Sequence, residues 1–181
     1  GNCLIQTSDG GFALLGFNTA ANGDVSVNHG AQDFWLIKTD ALGNLSWEKS
    51  FGFSGADEGI QIIETSDNYY LIAGVLDVTA SGGQGNTGRH AGGDYWVIKV
   101  TASGDTVWSR FFGGSFTDSP NVILENTSDE FLIAGSSNSN DIDISNNKGT
   151  YDFWVLKTTA LGEMVWERSF GGVEIDKARG I

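Results

Sequence analysis

The sequence predicts an all-β fold: a β-propeller fragment of three four-stranded antiparallel blades. Three observations predict it. A unit of about 60 residues occurs three times in the 181-residue chain. The composition, with 26 glycines against one proline, suits many short strands joined by tight turns. No segment sustains the apolar period of a helix. Recurrence with glycine and tryptophan at fixed places is the signature of a propeller blade, and a stacked solenoid, the rival, would not need two hairpins in each coil.

The repeat aligns without a gap over 33–57, 94–118 and 152–176, at offsets of 61 and 58 residues (94 − 33 and 152 − 94). In the first unit the recurring residues are Asp33, Trp35, Lys38, Ala41, Gly43, Trp47, Phe51, Gly52 and Asp57. The second has Asp94, Trp96, Lys99, Ala102, Gly104, Trp108, Phe112, Gly113 and Asp118. The third has Asp152, Trp154, Lys157, Ala160, Gly162, Trp166, Phe170, Gly171 and Asp176. All six tryptophans fall on two of these positions, which makes them framework residues first. Upstream, 6–16, 64–74 and 125–135 also align, with Phe12, Tyr70 and Phe131 in register.

The second unit shows the elements most clearly. Residues 60–64 and 69–74 are apolar runs split by the turn-forming sequence of 65–68, which makes one hairpin. Residues 95–100 and 106–112 flank a turn at 102–105 in which glycine can supply a positive φ, which makes a second. The run Phe34-Trp35-Leu36-Ile37 is apolar on both alternating faces, as expected of a strand sandwiched between two sheets. Blades are expected at 1–58, 59–120 and 121–178, with 179–181 opening another because Gly180-Ile181 repeats Gly59-Ile60. Closed propellers carry about four to eight blades. The chain, which opens on Gly1 and has Met164 as its one methionine, is therefore expected to be an excerpt or processed form. Association of chains, for example two giving six blades, is the alternative.

Charge and composition narrow the function. Ten basic and 23 acidic residues give a net charge of −13, which repels phosphate backbones and excludes a nucleic-acid role. No apolar window is long enough to span a bilayer, and no basic stretch leads into an apolar one as in a signal peptide. The single cysteine, Cys3, rules out an internal disulfide and a cysteine-rich zinc site.

The segment Asp24 to Trp35, with Asn28-His29-Gly30 before Asp33-Phe34-Trp35, is followed by 38–47 and by Ser50-Phe51-Gly52. This pattern resembles a family of repeats in secreted, multi-blade propeller proteins of Bacteroidetes-type bacteria, and the resemblance covers essentially the whole chain. It implies export to the cell surface or medium, often by type IX secretion through a separate C-terminal domain. More distantly, Gly74 and Gly135 ahead of a later tryptophan are similar to kelch repeats. The Gly-x-x-x-Trp spacing of Gly43 to Trp47, Gly104 to Trp108 and Gly162 to Trp166 is similar to the docking motif of quinoprotein-like propellers. There the tryptophan packs blade on blade, so the likeness bears on fold and not on cofactor.

The polar loop between the two hairpins carries the candidate chemistry. Asp24, Ser26, Asn28, Gly30 and Asp33 match Asp143, Ser145, Asn147, Gly149 and Asp152, and Asn22 matches Asp141. Oxygen-bearing side chains at alternate positions followed by glycine suit calcium, a hard cation that takes several oxygens while the chain turns sharply around it. The alternative is that these side chains bond to nearby backbone and stiffen the loop. The middle unit keeps no equivalent carboxylates, so the expected cofactor is none, or calcium. The aspartates that recur in every unit are read as strand-end and turn partners rather than a hydrolytic pair, which an active site needs once. Lys38, Lys99 and Lys157 are read as salt-bridge or carbonyl partners. His29 and His90 align with Lys148 and lack the further ligands of a zinc site. The middle loop, 77–93, departs most from its counterparts, and its Arg89 and His90 are the candidate partner contact. The expected function is a non-catalytic interaction or scaffold module of a secreted or surface propeller, binding protein or glycan through rim loops. The alternative is a propeller hydrolase, lyase or quinoprotein-like enzyme whose site further blades complete.

Overall fold

The computed structural model describes residues 2–82 and 90–177. Arg89 and the expected opening of a further blade at 179–181 lie outside the described residues. The first sheet holds β1 (Cys3–Gln6), β2 (Phe12–Asn18), β3 (Asp33–Thr39) and β4 (Leu45–Phe51). The second holds β5 (Glu58–Glu64), β6 (Tyr70–Asp77), β7 (Gly93–Val100) and β8 (Thr106–Phe112). The third holds β9 (Asp118–Glu125), β10 (Phe131–Ser137), β11 (Asp152–Thr158) and β12 (Met164–Phe170). In each sheet four consecutive strands pair antiparallel in sequence order, so each is an up-and-down blade and the chain is an all-β, three-blade propeller fragment. Among the described residues no helix is long and apolar enough to cross a membrane. Strands β5 and β9 start one and three residues ahead of the blade boundaries expected at 59 and 121, because Asp57 and Asp118 tie off the preceding turns.

Local chemistry explains the hairpins. The turn between third and fourth strands closes through Asp40 N–H to Asn44 C=O (2.9 Å) and Gly43 N–H to Asp40 C=O (3.1 Å). Gly43, Gly104 and Gly162 sit there at φ of 83°, 85° and 75°, a left-handed conformation that a side chain resists. Immediately after each such turn the register slips by one residue, between Lys38 and Thr39, Lys99 and Val100, and Lys157 and Thr158. The residue before Trp47, Trp108 or Trp166 is thus bulged, which re-aims the tryptophan. A second bulge falls between Gly59 and Gln61 and recurs opposite Ala134 and Gly135. It leaves Pro120 in a strand at a place where a missing N–H is tolerated.

Two cores lie between the blades. Ala13, Leu15, Phe34 and Leu36 of blade 1 pack against blade 2 residues that include Ile72, Trp96 and Ile98. The opposite face of blade 2, with Ala73, Tyr95 and Val97, packs against Ile133, Trp154 and Leu156 of blade 3. Aromatic pairs mark both junctions: Phe34 with Trp96 at 4.8 Å and Tyr95 with Trp154 at 4.6 Å between ring centroids. Burying a side chain of this size contributes roughly 1.5–3 kcal/mol. Strand β7 is consequently buried at all eight positions, whereas in the doubly apolar run of β3 Phe34 and Leu36 are buried and Trp35 and Ile37 only partly so.

Candidate functional site

The polar residues of interest gather at the end of the blades where the loop between second and third strands meets the link to the next blade. Gln32 bridges to Ala56, and Tyr151 bridges to Ile175 in the same way. Two aspartates per blade organise this end. Asp33, Asp94 and Asp152, at the head of the third strand, are fully buried. Oδ2 of Asp33 accepts the His29 N–H at 2.7 Å, and Oδ2 of Asp152 accepts the Lys148 N–H at 2.9 Å. Asp57, Asp118 and Asp176 repeat the device on the inter-blade link, accepting from Phe53 N–H (2.7 Å), Gly114 N–H (2.8 Å) and Gly172 N–H (2.8 Å). Asp33, Asp152, Asp57, Asp118 and Asp176 therefore each close a turn onto the residue four positions back, which is a structural use of charge.

The recurring Phe-Gly explains how two carboxylates fit side by side. A Cβ on Gly52, Gly113 or Gly171 would overlap Oδ1 of Asp33, Asp94 or Asp152. On Gly113 and Gly171 it would also come within 2.8 and 2.9 Å of the second aspartate, Asp118 or Asp176. Oδ1 of Asp33 and of Asp152 is buried without a hydrogen bond, and the glycine Cα hydrogen is what faces it.

Burial shifts two of the acids. The Asp57 carboxyl is pushed up to about 6 by burial, against the N–H groups of Phe53 and Asp77 and with Asp33 and Asp77 adding repulsion. Asp118 is likewise pushed up to about 6 by burial, opposed by bonds from Ser137, Gly114 and Ser139. Burial also raises Asp143, which accepts the Gly113 N–H at 3.1 Å. Asp9 goes the other way, held well below the usual carboxylate range by the hydrogen bond from Lys38, with Thr7 and the Gly11 N–H adding to it.

The residues singled out as calcium ligands are distributed over several separate bonds. The Ser26 hydroxyl donates to Glu48, and the Ser145 hydroxyl donates to Glu167 at 2.5 Å. Asn28 donates to Asn18 at 2.8 Å, and Asn147 donates to the Ser137 carbonyl at 2.9 Å. Asp141 accepts from Ser115 N–H at 2.9 Å and Asp143 from Gly113, so both reach across into the link between blades 2 and 3. Asp24 stands on the exposed loop, whereas Asp33 and Asp152 are buried beneath the glycines. Among the described residues no three His, Cys, Asp or Glu side chains converge as a cation site requires.

His90 is placed as His29 is: Nδ1 lies 3.0 Å from Asp94 Oδ2 in one case and 2.8 Å from Asp33 Oδ2 in the other. The His90 side chain is 11% exposed against 45% for His29, so little of its ring faces outward. Lys38, Lys99 and Lys157 pair with Asp9 (2.8 Å), Asp67 (2.7 Å) and Glu130 (2.6 Å), pinning the third strand to the first hairpin turn.

Sequence reasoning missed Glu48 and Glu167. Each accepts the indole N–H of the strand tryptophan, Trp35 at 2.8 Å and Trp154 at 3.0 Å, as well as the loop serine. The signal was the Trp-Glu pair in units one and three. In unit two Ser109 takes its place and accepts from Trp96 at 2.7 Å. Beside this network in blade 1 lies an open groove of about 400 Å³ whose lining includes Phe17, Asn18, Asn22, Asp24 and Trp35.

Comparison with known proteins adds one likeness. No family model matches the sequence. The chain is 26% identical over 155 residues to the regulatory protein FlaEY of Caulobacter vibrioides, an alignment that covers 81% of this chain and 16% of that protein. The chain thus spans about one sixth of the length of the curated relative it matches.

Proposed function

We propose that this chain is a non-catalytic scaffold segment of a secreted or cell-surface propeller that presents rim loops to a protein or glycan partner. One observation carries the reading: polar residues that recur from unit to unit serve the same structural task where they recur. Asp33 and Asp152 close the same turn, Asp57, Asp118 and Asp176 close another, and the three lysines pin the same hairpin. Catalysis calls for a constellation present once, with space for a reacting atom. Differences between units are instead concentrated in the loops at 19–32, 78–92 and 138–151, and loops on a rigid repeat scaffold are where recognition is placed. The surface location rests on the resemblance to secreted propeller repeats.

The test is a glycan array and a surface-binding assay on the producing bacterium, read with the native chain and with a variant whose 78–92 loop is replaced by 138–151. Binding that is lost in the variant at unchanged melting temperature is the expected result. Binding indifferent to all three loops overturns the reading, as does turnover of a polysaccharide by the native chain.

A further inference from the structure

The two junctions inside the chain are built from the same parts. At the first, Trp47 of blade 1 inserts its indole against Gly104 of blade 2 and donates to the Ala102 carbonyl at 3.0 Å. At the second, Trp108 inserts against Gly162 and donates to the Ala160 carbonyl at 3.0 Å. Phe34 reaches over Gly74 in the one, and Tyr95 over Gly135 in the other. A polar clasp completes the set: Ser8 N–H and hydroxyl donate to Glu64 at 2.7 and 2.8 Å, and those of Ser66 donate to Glu125 at 2.7 and 3.0 Å. Even the rim repeats one bond. Gly55 N–H donates to the Ser81 hydroxyl at 3.0 Å, and Phe116 N–H, 61 residues on (116 − 55), donates to the Ser139 hydroxyl at 3.0 Å. The side chain is what differs: a Cβ on Gly55 would meet the Ser81 hydroxyl at 2.5 Å, whereas Phe116 carries a whole ring and is 58% exposed.

The blade 3 loop that meets Phe116 holds a second departure. In blade 1 a tight turn closes through Val25 N–H to Asn22 C=O at 3.1 Å, with Gly23 at a φ of 61°. The matching turn of blade 3 closes through Ile144 N–H to Asp141 C=O at 3.1 Å, but Ile142 stands in the glycine's place, at a φ of 60°. A β-branched residue in this left-handed conformation strains the backbone, and such strain persists only where neighbouring contacts impose it. Two contacts impose it on this turn. Ile144 is buried in the core between blades 2 and 3, and Asp143 both accepts the Gly113 N–H (3.1 Å) and donates its own N–H to the Gly113 carbonyl (3.3 Å). Ile142 itself is 41% exposed and belongs to neither apolar core, so no packing within the protein offsets the strain. The Ser115 N–H (2.9 Å) and hydroxyl both go to Asp141, which brings Phe116 and Ile142, the next residue on each segment, to one place on the rim.

We propose that Phe116 and Ile142 are the contact for a protein partner, which lays an apolar side chain flanked by lysine or arginine across the rim between blades 2 and 3. The contact is one instance of the rim recognition proposed above and rests on it. Blades 2 and 3 both flank the patch, so it is not an end face of the stack. Its chemistry selects a protein over a glycan. A sugar needs hydrogen-bonding groups free around an aromatic platform, whereas the Ser139 hydroxyl is spent on Phe116 N–H and Asp118, and Asp141 is spent on Ser115. All six tryptophans are framework residues, and Tyr151, the one Phe, Tyr or Trp in the loops at 19–32, 78–92 and 138–151, has the Lys177 ammonium 4.1 Å from its ring centroid. Exposed apolar side chains set among satisfied polar groups suit an apolar protein surface. The Asp141 carboxylate and the net charge of −13 favour a cationic flank on that surface.

The probe is a phage-displayed library of random peptides selected on the 181-residue chain, with synthetic copies of the enriched peptides titrated by calorimetry. Enriched peptides are expected to carry an aliphatic or aromatic residue beside lysine or arginine. Phe116→Ser and Ile142→Gly are each expected to weaken their binding by about tenfold or more. Ile142→Gly is expected at the same time to raise the melting temperature by about 2–4 °C, because glycine adopts a positive φ without strain. An isoleucine kept for packing would give the opposite shift. A library that yields no binder, acidic peptides as the enriched class, binding unchanged in both variants, or a melting temperature that falls with Ile142→Gly overturns the proposal. Peptide binding that survives both variants but is lost when the 78–92 loop is exchanged overturns this contact and leaves the rim reading standing; binding indifferent to every loop removes both.

Discussion

Blade 2 and blade 3 share a sequence pattern but not a setting. Strand β7 of blade 2 is buried at every position, while the equivalent β11 of blade 3 alternates, with Phe153 turned outward. Trp108 is nearly buried, and Trp166, its counterpart, is half-buried. The difference lies in the neighbours rather than in the residues. A blade apolar on both faces is one layer of a stack, and its stability comes from the layers on either side. The same substitution should therefore cost much in the middle of the chain and little at its end.

Tryptophan tests this most strongly. Trp108→Ala removes a packed indole and its bond to Ala160 and is expected to destabilise the fold by about 4 kcal/mol. Trp166→Ala, measured in monomer by urea unfolding, is expected to cost about 1 kcal/mol or less. Equal costs would break the comparison. Next comes Gly113→Ala, which drives a methyl into Asp94 and Asp118 and is expected to cost about 3 kcal/mol. Gly171→Ala, at the exposed end, should cost less because Asp152 and Asp176 can shift toward solvent.

Acid sharpens the contrast from the junction side. Asp57 and Asp118 have folded pKa values raised to about 6, above the unfolded value of 3.8, so the folded chain binds more protons between these limits. Stability should accordingly rise as pH falls from 7 toward 4, then gain nothing more from these groups below the unfolded value. Asp9, Asp67 and Glu130 are shifted down, so their contribution is present near neutrality and is lost below about pH 4. The melting temperature should therefore peak between about pH 4 and 6, and Asp57→Asn with Asp118→Asn should flatten the rise. A melting temperature that falls steadily from pH 7 to 5 would show that the two junction acids are not raised.

Smaller effects follow. Ser66→Ala breaks the clasp to Glu125 at an exposed site and should cost about 0.5–1 kcal/mol in thermal or urea unfolding. Least of all, millimolar calcium should leave the melting temperature unchanged, since the loop oxygens are engaged in bonds within the protein. A calcium-dependent rise abolished by Asp24→Asn would return those loops to the metal reading.

Much of this fold was legible because blade geometry repeats in the chain. Six tryptophans on two positions, glycine at a fixed distance before each second tryptophan, and apolar runs of strand length were enough to place all three sheets. The site was legible only in part. That the recurrent aspartates act locally could be read from their recurrence, but the two carboxylates flanking Gly113 or Gly171 could not, since they lie 24 residues apart (118 − 94 and 176 − 152) and meet only in the folded blade. The inter-blade bond of Trp47 was hidden for another reason: its acceptor is the backbone carbonyl of Ala102, and any residue supplies a carbonyl. Glu48 gathers Trp35 and Ser26 across 13 and 22 residues of chain, a meeting that only the folded blade reveals.

The sameness of the junctions also bears on how such a chain can change over generations. Every contact that Trp47, Phe34 and Ser8 make forward is repeated by Trp108, Tyr95 and Ser66, so whole units are interchangeable parts. An in-phase duplication or excision of one unit would join an existing inserting face to an existing receiving face and create no untried contact. Lengthening or shortening the array is thus a smaller step for this architecture than replacing one glycine beneath a buried carboxylate.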